Sequence, residues 1–195
     1  MLNVILKSNA GYQTLPLYAM LFSQRMIFIT GEITSDSVIE TLQQLLYLQS
    51  EDEKSPVKII MNSPGGSVSA GLILYQQIKA MKVPIEIYCV EMCASMAAVI
   101  LAGGQKGHRY ILRGSKCMLH EPLISPASGI SGSANEVKKT TENLIKTKQY
   151  LNEILARETE HSVNEIDELL THGDYFLTDI EAINFGLADA IVDHI

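Results

Sequence analysis

The chain has 195 residues, 47% of them hydrophobic, and its 22 acidic against 15 basic side chains give a formal charge of −7. That length and apolar content are sufficient for one packed domain, and a net negative surface supplies no counterion-release drive toward phosphate backbones, which argues against nucleic acid as the partner. The longest apolar stretches, 85–90 and 96–103, fall well short of the ~20 residues that cross a bilayer, so no membrane span is expected.

The first residues, Met1-Leu2-Asn3-Val4-Ile5-Leu6-Lys7, lack the basic start, greasy run and small-residue cleavage site of a secretory signal. A flexible N-terminal segment before about Tyr18 and a cytoplasmic location are the expectations. From there short β-rich runs alternate with helical patterns: residues 26–30, 57–61, 85–90, 109–112, 117–119 and 190–192 read as strands. That alternation predicts an α/β fold with a largely parallel sheet.

Helix starts are marked four times by a hydroxyl residue followed three positions later by Glu: Ser37 with Glu40, Ser133 with Glu136, Ser162 with Glu165 and Thr178 with Glu181. In this pattern the hydroxyl and the carboxylate each satisfy a backbone N–H that the helix end would leave unpaired. Gly186 stands where the last of these helices should stop. The helix opened by Ser133 is the longest, with Val137, Thr141, Leu144, Lys148, Leu151 and Leu155 at helical spacing to about Arg157. Two of those six are polar, as suits a half-exposed helix or a subunit contact. The stretch 123–133, rich in Ser and Gly, is too poor in large side chains for the core and reads as a mobile loop or edge element. With no internal repeat and no long linker, residues 1–195 read as a single domain.

Three cysteines, Cys89, Cys93 and Cys117, are an odd number without C-x-x-C spacing, which argues against a disulfide framework and a thiolate metal site. They read as small buried apolar residues. None of the five histidines forms an i, i+4 pair, so no metal is expected.

Nucleophilic hydrolysis needs a nucleophile, a base in reach of it, an acid that orients the base, and N–H donors aimed at the developing oxyanion. Ser95 follows the 85–90 strand and precedes a helical run, so its hydroxyl would stand at a helix N-terminus with Ala94, Ala97 and Ala98 leaving room around it. On that segment alone an ordinary helix cap is an equally open reading. Asn62-Ser63-Pro64-Gly65-Gly66-Ser67 follows another strand; its glycines permit positive φ and a close backbone approach, and the same residues also suit a plain strand-to-helix turn. It lacks G-x-x-x-x-G-K-[ST], so nucleotide binding is unsupported. His120 projects from the end of the 117–119 strand just before Glu121-Pro122, whereas the other histidines lie in polar segments. Asp174, ahead of the helix opened by Thr178, could orient His120 or serve as a turn residue.

In this order, Arg25-Met26-Ile27-Phe28-Ile29-Thr30-Gly31, the Asn62 to Ser67 turn, Ala94-Ser95-Met96, Lys106-Gly107-His108-Arg109-Tyr110, Met118-Leu119-His120-Glu121-Pro122 and the run from Asp174 to Asp189 resemble the proteolytic subunits of the Clp protease (ClpP) family, over nearly the whole chain. The resemblance implies a crotonase-like α/β spiral of βαβ units with a protruding helix and strand handle, here 123–158, and an N-terminal axial segment, here 1–17. It implies a serine endopeptidase that cleaves unfolded polypeptides. Ser95 would be the nucleophile, His120 the base, Asp174 its orienting acid, Gly66 and Met96 the oxyanion donors, and Val68 and Leu123 part of the substrate-binding strand positions. Heptameric rings stacked as a tetradecamer and an AAA+ unfoldase as partner are implied by the same likeness, with no cofactor in this subunit because ATP is used by the unfoldase.

Family members usually have Gly where Glu91 stands, Gln at Glu121, Gly at Ala97, and arginines near the triad acid where this chain has Gly173 and Tyr175. Lys58 and Ile60 occupy strand positions that are often aromatic. These departures support an alternative reading: a catalytically weak or structural ring subunit that needs a second ClpP paralogue for activity.

Overall fold

The computed structural model describes residues 2–8, 11–124 and 131–195. In chain order the described elements are β1 (Asn3–Ser8), β2 (Gly11–Pro16), α1 (Leu17–Ser23), β3 (Met26–Thr30), α2 (Ser35–Glu51), β4 (Val57–Ser63), α3 (Val68–Ala80), β5 (Ile85–Ala94), α4 (Met96–Ala102), β6 (Arg109–Leu112), β7 (Lys116–Leu119), α5 (Ala134–Thr159), α6 (Val163–Thr171), β8 (Tyr175–Thr178), α7 (Asp179–Phe185) and β9 (Ala190–Val192). Each of the six strands read from the sequence is present. β8 is an addition, as are β1 and β2, which pair antiparallel within the segment expected to be flexible.

The main sheet runs β3-β4-β5-β6-β9, all neighbours parallel, as the alternation of strands and helices dictates. β5 is the pivot. Its first half pairs with β6 through Ile87 to Cys89, and its last residues, Met92 to Ala94, pair with β7. Between the halves the ladder with β4 slips, from Met61 opposite Cys89 to Ser63 opposite Cys93. Such a bulge bends a strand and re-aims the residues beyond it. Glu91, at its centre, has φ 66°, a left-handed conformation that costs a non-glycine residue about 1–2 kcal/mol. Two contacts oppose that cost: Asn62 Nδ2 donates to the Glu91 carboxylate at 2.7 Å, and the Glu91 N–H donates to Ser115 Oγ at 2.9 Å.

The core is the apolar side chains of β3, β4 and β5 packed against α2, α3 and α4, and every residue of α4 is buried. Cys89, Cys93 and Cys117 are free and buried within it, as expected, and burial pushes the Cys93 thiol up, which keeps it unreactive. The cap boxes at Ser133, Ser162 and Thr178 are present, and Gly186 closes α7 in the left-handed conformation at φ 85°. The cap expected at Ser37 is displaced by one turn. Thr34 is the N-cap and Ser37 is its reciprocal partner, because Ile33 bridges to Gly66 and fixes the chain just ahead of Thr34.

α5 has two characters. Its C-terminal part, from Leu151 to Thr159, is largely buried on the body, whereas residues 134–143 are exposed apart from the half-buried Val137. At ~1.5 Å per residue its 26 residues span about 39 Å, of which the exposed N-terminal part is the portion least packed on the body. Of the stretch expected to be a mobile loop or edge element, residues 125–130 lie outside the described residues. No helix among the described residues is long and apolar enough to cross a membrane.

Candidate active site

The last residues of β5, redirected by the bulge, end at Ser95, the N-cap of α4. Its backbone has φ 54° and ψ −123°, a conformation of the kind stored at functional sites, and it is pinned on both sides. The Ser95 N–H donates to Met118 O at 2.7 Å, while Ser95 O accepts from the Ala98 and Val99 N–H groups. The Ser95 side chain makes no cap hydrogen bond. Its hydroxyl is thus held at a strand-to-helix corner and left uncommitted.

The Asn62 to Ser67 turn presses on this corner. A Cβ on Gly65, whose φ is +91°, would lie 2.7 Å from both Ala94 O and Ser95 Cβ and 2.9 Å from Met96 N. Only glycine permits that approach. Gly65→Ala is therefore expected to reduce turnover by about 10²-fold, the scale of an ångström-sized misplacement of reacting groups. Gly107→Ala, also at positive φ but with open space around it, supplies the control for backbone strain alone; peptide-cleavage rates of both variants beside their melting curves would check this.

Donors for a developing anion come from two places. Met96 opens α4, and the first N–H groups of a helix have no intrahelical acceptor. Gly66 is bridged in parallel to Ile33, with Ile33 N–H donating to Gly65 O and Ser67 N–H donating to Ile33 O. The bridge engages the residues on either side of Gly66, so the alternation of extended backbone turns the Gly66 N–H away from Ile33.

His120 comes directly after β7, and β7 lies beside β5, so it leaves the sheet at the same end as Ser95. Ser95 and His120 both line an open cleft of about 630 Å³ together with Pro64, Gly66, Val68 and Leu123, and both also border a small pocket walled by Met96, Leu119 and Asn152. Asp174 arrives differently. β8 is antiparallel to β7, and the pairing ends with Leu119 opposite Tyr175, so His120 leaves β7 and Asp174 precedes β8 at the same end of the pair. An antiparallel strand begins where its parallel neighbours end, which brings Asp174 to the shared edge.

Asp174 is exposed and lines neither cavity. Among the described residues no hydrogen bond joins the side chains of Ser95, His120 and Asp174. Asp167 is another carboxylate of this region, and it is already engaged by Lys148 Nζ at 2.8 Å and Asn152 Nδ2 at 2.9 Å. Sequence reasoning does not find the link from Lys148 to Glu121 and Asp167. Its only trace there is a cation interrupting the apolar stripe of the long helix.

An uncommitted serine hydroxyl, an imidazole in the same cleft and free backbone donors beside them are equipped for acyl transfer, the chemistry of serine hydrolases. The Clp protease family model matches residues 9–195. The chain belongs to the Clp protease family, which makes it a serine peptidase by kind, and its mostly parallel central sheet is the ClpP, crotonase-like fold.

Proposed function

We propose that this chain is a serine endopeptidase subunit of a barrel-shaped, ATP-dependent cytoplasmic protease, cleaving unfolded polypeptides fed to it by an AAA+ unfoldase. The 1–195 chain would be one peptidase domain, built into heptameric rings that stack as a tetradecamer through the 123–158 handle region. The observation that carries this reading is the convergence of Ser95, His120 and Gly66 on one cleft at the ends of neighbouring strands.

In the proposed reaction an extended substrate strand lies between Val68 and Leu123, which line that cleft. Ser95 Oγ attacks the scissile carbonyl as His120 takes its proton. The negative oxygen is held by the Gly66 and Met96 N–H groups, the leaving amine takes the proton back, and water, activated by the same imidazole, hydrolyses the acyl-enzyme. Asp174 orients His120. The subunit needs no cofactor, since ATP is consumed by the unfoldase.

A second reading is a ring subunit that becomes active only beside a ClpP paralogue. It is favoured by the absence, among the described residues, of hydrogen bonds between the three triad side chains, and by Glu91 in a left-handed position where the family resemblance leads one to expect glycine. Native mass spectrometry and cleavage of short fluorogenic peptides, with this chain alone and mixed with a paralogue, separate the two. An active homomeric tetradecamer supports the first reading; activity confined to mixed rings supports the second. Loss of all cleavage in both preparations contradicts the peptidase assignment of the site.

A further inference from the structure

Glu121, the residue directly after His120, places its carboxylate 2.6 Å from Lys148 Nζ on α5. The same ammonium lies 2.8 Å from Asp167 Oδ1 on α6, and that oxygen also accepts from Nδ2 of Asn152, a buried residue one turn further along α5. Three elements therefore meet at one cation. Lys148 stands where α5 changes from its projecting part to its packed part. Its side chain is 26% exposed, and two carboxylates hold it at once, so it is more confined than an isolated surface pair. Asp167 and Glu121 accordingly raise its pKa above the ordinary lysine value.

The His120 segment is short of other restraints. Strand pairing between β7 and β8 ends at Leu119 and Tyr175, residues 120–124 have no regular secondary structure, and the His120 ring has no hydrogen-bond partner among the described residues. Among the described residues, the one side-chain hydrogen bond or ion pair on this stretch is that of the Glu121 carboxylate.

We infer that Lys148 is a positioning residue: by gripping Glu121 it sets where the adjacent His120 imidazole stands relative to Ser95, and it ties that setting to the projecting helix. This role rests on the reading of His120 as the base. Its consequence is that a displacement of the helix reaches the cleft through one ammonium group.

The test compares Lys148→Met, Glu121→Ala and the double variant with Lys148→Arg, each as the full chain in its assembled form. Each single variant is expected to lower kcat for a fluorogenic peptide about tenfold with KM within about twofold, as for a misplaced catalytic group. The double variant should be no slower than the slower single, because both remove the same contact. Lys148→Arg, which can still reach both carboxylates, should retain most of the rate. Hydrogen exchange of the peptide spanning 119–124 should quicken in Lys148→Met and Glu121→Ala but not in Lys148→Arg. Multiplying losses in the double variant, an unchanged kcat, or unaltered exchange in that peptide would each overturn the inference. Should the wild-type assembly cleave no peptide, the base reading fails by itself, and the exchange measurement still decides whether Lys148 holds the segment.

Discussion

Ser95→Ala and His120→Ala are each expected to lower peptide cleavage by at least ~10³-fold, and the double variant is expected to be no slower than either single. A triad acts as one device: without the hydroxyl there is no acyl-enzyme, and without the imidazole the hydroxyl keeps its proton. Neither side chain carries the fold. Ser95 makes its structural contacts through its backbone, to Met118, Ala98 and Val99, and its side chain caps nothing. Both variants should therefore melt within about 1 kcal/mol of the parent stability, the range for substitutions that remove no packing. Cleavage that persists in Ser95→Ala would assign the chemistry to another residue.

The largest expected effect on stability lies at the opposite end of β6. Arg109 is 1% exposed, and its guanidinium donates to the backbone oxygens of Ala102 and Gly186 at 3.0 and 2.8 Å and to the Asp189 carboxylate. Asp189 also accepts from the Gly107 and Arg109 N–H groups at 2.7 and 3.0 Å. This pair joins the ends of α4 and α7 to β6. Asp189→Ala would leave a buried cation without its counter-charge, a change that costs about 3–5 kcal/mol. For a domain of this size that corresponds to a fall in Tm of roughly 6–20 °C, measurable by calorimetry.

The same pair carries a pH signature. Burial alone would raise the Asp189 pKa, but the Arg109 hydrogen bonds and charge outweigh it and hold the carboxyl below its ordinary value of 3.8. A depressed folded-state pKa means that the stabilisation is complete above pH 3.8 and is lost as pH falls through the lower folded value. The stability gap between the parent and Asp189→Ala should thus be constant near neutrality and narrow only below about pH 3.8. A gap that closed already at pH 6 would point to another titrating group.

Legibility in the sequence tracks burial. β4 and β5 announce themselves because their apolar runs are buried on both faces for most of their length, β3 because its buried Ile27 and Ile29 alternate with more exposed positions, and the cap boxes at Ser133, Ser162 and Thr178 are local chemistry that needs no tertiary partner. β1 and β2 are mostly exposed, so no burial pattern marks them, and β8 has only four residues, of which Leu177 alone is buried. The helix start expected at Ser37 moves to Thr34 through a tertiary contact, the bridge from Ile33 to Gly66. At the site the residue types and their order are readable, and the family resemblance joins them. What no spacing rule can supply is the bulge at Glu91 that swings Ser95 toward β7, or the antiparallel pairing of β7 with β8 that brings His120 and Asp174 to the same end of the two strands. Lys148 shows the same limit: its partners Glu121 and Asp167 lie 27 and 19 positions away in the chain, counting from their residue numbers, and meet only in the fold.

The most direct measurement is mass-spectrometric mapping of a fluorophosphonate adduct on the assembled protein, with and without a ClpP paralogue, in parent and His120→Ala chains. A single adduct on Ser95, formed rapidly in the parent and at a rate at least ~10²-fold lower in His120→Ala, is the predicted result. An adduct on any other residue, or equal labelling of Ser95 when His120 is gone, would contradict the account.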